Sequence, residues 1–235
     1  MSARSPSIDE EAPVVARPAA AVVLLREGEG GCEVLLLQRN SQLAFHGGAW
    51  VFPGGRIDDA DYAAAAEPTD IVSAARRAAV REAREEAGLA VEHANLVLFS
   101  RWLTPTGLPK RFEAWYFAAP AAAEPVRVDG GEILDHRWVR PEDALTQHRA
   151  GRLDLPPPTW VTLNRFIGYR SVPAALEAAG RVPLEHFEPR VCLVPAGACS
   201  LYAGDSAYDT GEVDAPGPRH RLWMLDSGWR YERSD

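Results

Sequence analysis

The densest chemistry in the chain is the run Arg81-Glu82-Ala83-Arg84-Glu85-Glu86-Ala87-Gly88-Leu89. On a helix Glu82 and Glu86 stand one turn apart, so their carboxylates share a face, and Glu85 flanks it. Gly88 reads as the helix stop, which places all three acids at the end where the helix dipole favours cations. They also repel one another. Arg81, four residues before Glu85, and Arg84 offset part of that charge. The remainder calls for a counterion, and hard oxygen ligands suit Mg²⁺ or Mn²⁺. Taken alone, the run also fits a solvated, charge-laced surface helix, the commoner occurrence.

Upstream stands Trp50-Val51-Phe52-Pro53-Gly54-Gly55. Together the two segments resemble the signature of the Nudix hydrolases: Gly, five residues, Glu, seven residues, then Arg-Glu-apolar-x-Glu-Glu-x-Gly-apolar. The second half matches at every defined position, with Ala83 as the apolar one. The first half departs, because the first glutamate of the box falls on Ser73 and the interval from Gly55 to Arg81 carries an insertion. Asp58, Asp59, Asp61, Glu67 and Asp70 are the carboxylates able to replace it, and the sequence does not choose among them.

The resemblance implies a mixed-sheet α/β/α sandwich whose loop-helix-loop, here 54–89, holds divalent metal. It implies hydrolysis of a nucleoside diphosphate linked to another group, by water attack at phosphorus. Phosphoryl transfer needs charge neutralised on non-bridging oxygens and a positioned water, which metal ions on clustered carboxylates supply. By position in the box, Glu82 and Glu86 are implied metal ligands, Glu85 a ligand directly or through water, and the Gly55 carbonyl a further one. Gly54 and Gly55 would permit a tight turn that aims this carbonyl inward. Arg81 and Glu85 are catalytic candidates within the box. Outside it, Glu132 in Gly131-Glu132-Ile133-Leu134-Asp135-His136-Arg137-Trp138-Val139 looks like the family's late glutamate, which binds metal or activates water. Glu113, among aromatics in Lys110–Phe117, is a second candidate base. An exposed loop acid and a solvent-facing strand acid are the plain alternatives.

Leu36-Leu37-Gln38-Arg39, with Gly48 and then Phe52-Pro53-Gly54-Gly55 at matching intervals, resembles the coenzyme A pyrophosphatase motif. Leu37, Asn40 and Ala44 depart from it. The likeness is closer to the peroxisomal-type coenzyme A diphosphatases, which share Leu-Leu-Leu-Gln-Arg, an Asp-x-x-Asp here given by Asp58 and Asp61, and a displaced first glutamate. It points to coenzyme A or acyl-coenzyme A as substrate. Nucleotide sugars, ADP-ribose and dinucleotides remain open, as does a nucleotide-binding domain without hydrolysis. Arg39 and Gly54 are the substrate-side candidates, since an arginine pairs bidentately with phosphate. His46 lies in the same loop, and Trp50, Trp102 and Trp115 could stack a base, although core packing is the commoner fate of a tryptophan.

These residues need a scaffold, and the pattern supplies one. Ala19–Arg26 and Glu33–Arg39 are apolar runs joined by a glycine-rich turn, a hairpin. A helix follows from Thr69 or Asp70 to Ala87. Strands are expected over Leu96–Leu103, Arg111–Ala118 and His136–Val139, and helices from Pro141, over Pro158–Tyr169, and over Val172–Ala179 with Ser171 as cap and Gly180 as stop. Val191–Val194 and Arg221–Leu225 read as two strands joined by a long loop. Irregular mixing of strands and helices gives an α+β fold. The expected division is a flexible tail at 1–17, a Nudix hydrolase domain at 18–170, and a C-terminal elaboration at 171–235 packed on the same domain. That last segment could complete the substrate pocket or form a homodimer surface.

Composition bounds the rest. The 235 residues are 46% hydrophobic and 25% charged, enough for a sizeable core. A net charge of −8 argues against a nucleic-acid or anionic-membrane partner and leaves a small phosphorylated substrate, provided metal offsets the charge. No apolar run reaches membrane-spanning length, and the acidic N-terminus is unlike a signal peptide, so a cytoplasmic protein is expected. Cys32, Cys192 and Cys199 are too few for a disulfide framework.

Overall fold

The computed structural model describes residues 14–43, 46–63 and 70–234. Most of the expected N-terminal tail, together with Ala44, Glu67 and Thr69, lies outside them.

The centre of the molecule is strand β1 (Arg17–Gly28), whose Ala19–Leu25 stretch is buried on both faces. Such a continuous apolar run is what a fully covered central strand requires. It turns through Gly30 and Gly31, both at positive φ, into antiparallel β2 (Gly31–Arg39), forming the expected hairpin. On its other side β1 pairs in parallel with β6 (Phe112–Pro120), which pairs antiparallel with β5 (Val97–Leu103). Short β3 (Trp50–Val51) and β7 (Ile133–Val139) pair with β2, β4 (Gly54–Arg56) pairs with β1, and β8 (Glu185–Phe187) adds in parallel to β5. The sheet is mixed.

Helix α2 (Ile71–Ala87) covers one face, and α1 (Asp59–Ala63) precedes it. Ala74, Ala75, Ala78, Ala79, Ala83 and Ala87 recur at helical spacing and are fully buried, so a stripe of methyl groups seats α2 against Val22, Leu24, Leu35 and Phe117. Asp70 caps the helix by accepting from the Val72 and Ser73 amides. Gly88, at φ 68°, closes it, with its N–H and that of Leu89 returning to carbonyls of the last turn.

The opposite face is covered by α3 (Pro141–Arg149), α4 (Pro157–Arg165) and α5 (Val172–Arg181). Two helix ends differ from the sequence expectation. Helix α4 stops at Arg165 instead of reaching Tyr169. Helix α5 runs through Gly180 to Arg181, and a Cβ at Gly180 would meet a Val97 methyl at an ordinary contact distance of 3.4 Å.

Residues 190–233 form a second, antiparallel sheet of β9 (Arg190–Val194), β10 (Gly197–Leu201), β11 (His220–Leu225) and β12 (Gly228–Arg233). The two expected strands, β9 and β11, are therefore not joined directly; β10 lies between them. Tyr202 and Leu222 of this region belong to the same buried cluster as Leu25, Trp50 and Phe166. Register sets Cys192 opposite Cys199, both free thiols, and burial raises Cys199 to about 12. Among the described residues no helix is long and apolar enough to cross a membrane.

Candidate active site

The site forms where the end of α2 meets β4 and the ends of β2 and β7. Strand β4 lies against β1, with Gly54 opposite Ala21 and Gly55 opposite Ala20. Neither glycine needs a left-handed backbone; each is required by space. A Cβ on Gly54 would stand 2.4 Å from the Ala20 carbonyl oxygen, and one on Gly55 would stand 2.3 Å from Glu82 Oε1. The expected tight turn is thus a close packing of the Glu82 carboxylate onto the Gly55 backbone. The Gly54 amide donates to Glu86 Oε2 at 2.9 Å, so both glutamates one turn apart on α2 reach the same short strand.

Arg81 gathers the neighbouring acids. Its Nη1 donates to Glu82 Oε1 at 2.7 Å and Glu85 Oε2 at 3.0 Å, and its Nη2 to Asp61 Oδ2 at 3.0 Å and the Arg56 carbonyl at 2.8 Å. Asp58 stands 3.7 Å away. Burial works against the guanidinium charge, but the bonds to Asp61 and Glu82 outweigh it and raise the pKa. Asp61, only 5% exposed, also accepts from the Asp58 amide. Of the four described carboxylates open to replace the missing box glutamate, Asp61 is the buried one engaged with Arg81. Ser73 lies at the far end of α2 from Arg81, where its hydroxyl donates to the capping Asp70.

Glu86 is the most perturbed acid. Burial, opposed by the Gly54 amide and Arg39 and reinforced by Glu82 and Glu132, pushes its pKa up to about 8. Glu82 is raised too, by burial first, with Arg81 opposing and Glu85 and Asp58 adding. Glu85 is more open, with its side chain 58% exposed.

The β2–β7 end completes the arrangement. Asn40 donates its amide N–H to the Glu132 carbonyl at 2.7 Å and its side-chain Nδ2 to the Gly131 carbonyl at 2.9 Å, pinning the Glu132 loop beside Arg39. Asp129 shapes that loop by accepting from the amides of Gly131, Glu132 and Ile133. Burial opposes its charge, but these donors hold its carboxyl below the usual range. Sequence reasoning passed over Asp129; the signal was an aspartate just before Gly-Gly, the pattern of a side chain that bonds its own turn. Arg39 Nε is buried with no hydrogen-bond partner among the described residues. Burial, with Arg39 adding and Asp154 opposing, lowers the His46 pKa.

The other candidates sit elsewhere. Glu113 pairs with Arg101 at 3.1 Å, and Trp50, Trp102 and Trp115 are packed in the core. Among the described residues no three His, Cys, Asp or Glu side chains stand together as a ready-made cation cluster; Glu82 and Glu85 are both paired with Arg81. The donors nonetheless fit a hard divalent ion: they are carboxylates, Glu86 is buried and Glu82 partly so, and burial raises the pKa of both, a cost that a bound cation would offset.

A NUDIX domain match runs from residue 15 to 157, more than half of the sequence, and the chain belongs to that family. The mixed sheet between helical layers is the Nudix fold. The putative nudix hydrolase 7 of Caenorhabditis elegans is 25% identical over 169 residues, 57% of this chain and 55% of that protein. The acyl-coenzyme A diphosphatase NUDT19 of Homo sapiens is 28% identical over 116 residues, 47% of this chain and 31% of that protein. The matched stretch thus spans only part of the length of both relatives. A solved NUDIX hydrolase from Alicyclobacillus acidocaldarius superposes with a TM-score of 0.60 at 24% identity, covering 73% of this chain and 97% of that one, a likeness of fold.

Proposed function

We propose that the chain is a divalent-metal-dependent diphosphatase that cleaves the diphosphate of coenzyme A or acyl-coenzyme A to 3′,5′-ADP and phosphopantetheine or its acyl form. The observation that carries the hydrolytic part is the buried Glu86, bonded from Gly54 beside Glu82 and crowded by Glu132. Glu82, Glu86 and the Gly55 carbonyl would hold Mg²⁺ or Mn²⁺, with Glu85 as a further ligand. When bound, the ion supplies charge neutralisation on the diphosphate oxygens and lowers the pKa of water.

This chain's own residues do the rest. Arg39, whose Nε has no partner among the described residues, takes a phosphate of the substrate, and Gly54, whose amide holds Glu86, lies on the substrate side of the site. Glu132, exposed on its clamped loop, accepts the proton of the attacking water, with Glu85 as the other candidate. The water oxygen bonds to one phosphorus as the bridging P–O bond breaks, and the bridging oxygen leaves on the other phosphate. Arg81 keeps Glu82 and Glu85 in place while Asp61 holds Arg81.

The substrate reading rests on the Leu35–Arg39 segment, on Asp58 and Asp61 after the glycines, and on the name of the human relative. Nucleotide sugars, ADP-ribose and dinucleotides are the competing substrates. A binding domain without hydrolysis is the second reading, favoured by the hold of Arg81 on Glu82 and Glu85. A panel of these compounds incubated with Mg²⁺, Mn²⁺ or EDTA decides: metal-dependent release of 3′,5′-ADP from coenzyme A is expected to exceed every other turnover. Faster cleavage of another compound discards the substrate reading and keeps the reaction.

A further inference from the structure

On the sheet face away from α2, strands β5, β8 and β12 and helix α4 enclose a half-open cavity of about 300 Å³. None of its lining residues belongs to the Glu82–Glu86 site. A register shift in the β5–β6 ladder between Leu98 and Ser100 lets Phe99, Ser100 and Trp102 all line it. Phe187 stacks on Trp102 with ring centres 4.0 Å apart, so the inner wall is flat and aromatic.

Three polar atoms of this lining, Ser100 Oγ, Trp102 Nε1 and Tyr231 Oη, lack hydrogen-bond partners among the described residues. Ser100 Oγ and Trp102 Nε1 are buried, the residues 1% and 4% exposed, and neither makes a hydrogen bond. Folded proteins rarely leave such atoms unpaired unless something else occupies the site. On the same cavity's lining, Arg165 and Arg233 both pair with one carboxylate, Glu185, Arg165 at 2.9 Å. His220 stands 3.8 Å from that carboxylate; burial, with Arg233 adding and Glu185 opposing, lowers its pKa. Two guanidiniums against one carboxylate leave a positive charge beside an aromatic wall that holds an unused N–H donor.

We propose that this cavity is a second binding site, for a small organic anion with a flat apolar body. Its acidic head pairs with Arg165 and Arg233, and an acceptor on its ring takes the Trp102 Nε1 hydrogen, with Ser100 alongside. A volume of this size is at the small end of ligand sites and suits a two-ring compound.

Three probes of equal shape separate the elements of this claim: quinoline-3-carboxylate, its neutral carboxamide, and naphthalene-2-carboxylate, which lacks the ring acceptor. Calorimetric titration of the full chain in EDTA keeps the metal site out of the measurement. The quinoline acid is expected to bind saturably at millimolar concentration or below, at least about tenfold more tightly than its amide, as a charge-assisted hydrogen bond would give. It is also expected to bind more tightly than the naphthalene acid. Arg233→Gln, at a half-exposed position, should bring the acid down to the affinity of the amide. Trp102→Phe should erase the preference for quinoline over naphthalene. If Trp102→Phe does not fold, Arg233→Gln alone decides. No saturable binding of either acid would assign the orphan atoms to water and overturn the proposal. Equal binding of acid and amide, or binding that Arg233→Gln leaves unchanged, would overturn it too. Coenzyme A turnover is measured separately, so failure here leaves the Glu86 chemistry untouched.

Discussion

Glu86 carries an unusual pH dependence. Its ordinary value is 4.5 and its folded value about 8, so between these the folded chain keeps a proton that the unfolded chain has lost. Without metal, folding stability should therefore fall as pH rises through that window, by on the order of a few kcal/mol, and level off above it. Glu86→Gln removes the titration. Denaturant melts in EDTA near the two ends of the window should show a loss of stability in the wild type that is smaller by the Glu86 contribution in the variant. Divalent ions bind the deprotonated carboxylate, so their stabilising effect should grow with pH up to about 8. Gly55 tests the same site from the backbone side. Gly55→Ala places a Cβ 2.3 Å from Glu82 Oε1, and the carboxylate must move. Turnover should fall about a hundredfold, as expected for a group displaced by an ångström, with the melting temperature little changed. Unchanged kinetics in this variant would show that Glu82 does not act from its observed position.

The main elements were legible in the sequence because their causes are local. The alanine stripe, the Asp70 cap and Gly88 define α2 with no reference to the rest of the chain. What could not be read depends on neighbours distant in sequence. Gly54 and Gly55 are glycines because of Ala20 and Glu82, and Asp61 stands out from the other described acids only because α1 buries it against Arg81. Strands β10 and β12 were missed because small and charged residues interrupt their alternation. The closing glycine of α2 gives a prediction at this scale. Gly88→Ala puts a methyl group on a residue at φ 68°, 3.1 Å from Arg127 Cβ, and should cost about 1–2 kcal/mol in chemical denaturation. An unchanged midpoint would mean that the last turn of α2 unwinds without loss.

Across the whole molecule, the second sheet shares the core of the first. Tyr202 and Leu222 are fully buried in the cluster that holds Trp102 and Phe187, and Phe187 itself lies on β8 of the main sheet. Inside the second sheet, Arg221 and Asp205 form a buried pair through two hydrogen bonds, with Arg221 also donating to the Val213 carbonyl. Arg221→Met leaves Asp205 charged and short of its main partner. Removing one member of such a pair costs about 3–5 kcal/mol. Because the core is common, the loss should appear as a single earlier melting transition of the whole chain, read by circular dichroism. A separate early transition would show that residues 190–233 melt independently.

The central claim is that the carboxylates of α2 serve metal-dependent cleavage of a diphosphate. Its most direct test is the rate of coenzyme A hydrolysis in wild type and Glu86→Gln, each with Mg²⁺ and with EDTA, with folding checked alongside. The account predicts 3′,5′-ADP release by wild type with Mg²⁺ alone, and a fall of about a hundredfold or more in the variant. A Glu86→Gln protein that turns over at the wild-type rate would contradict it.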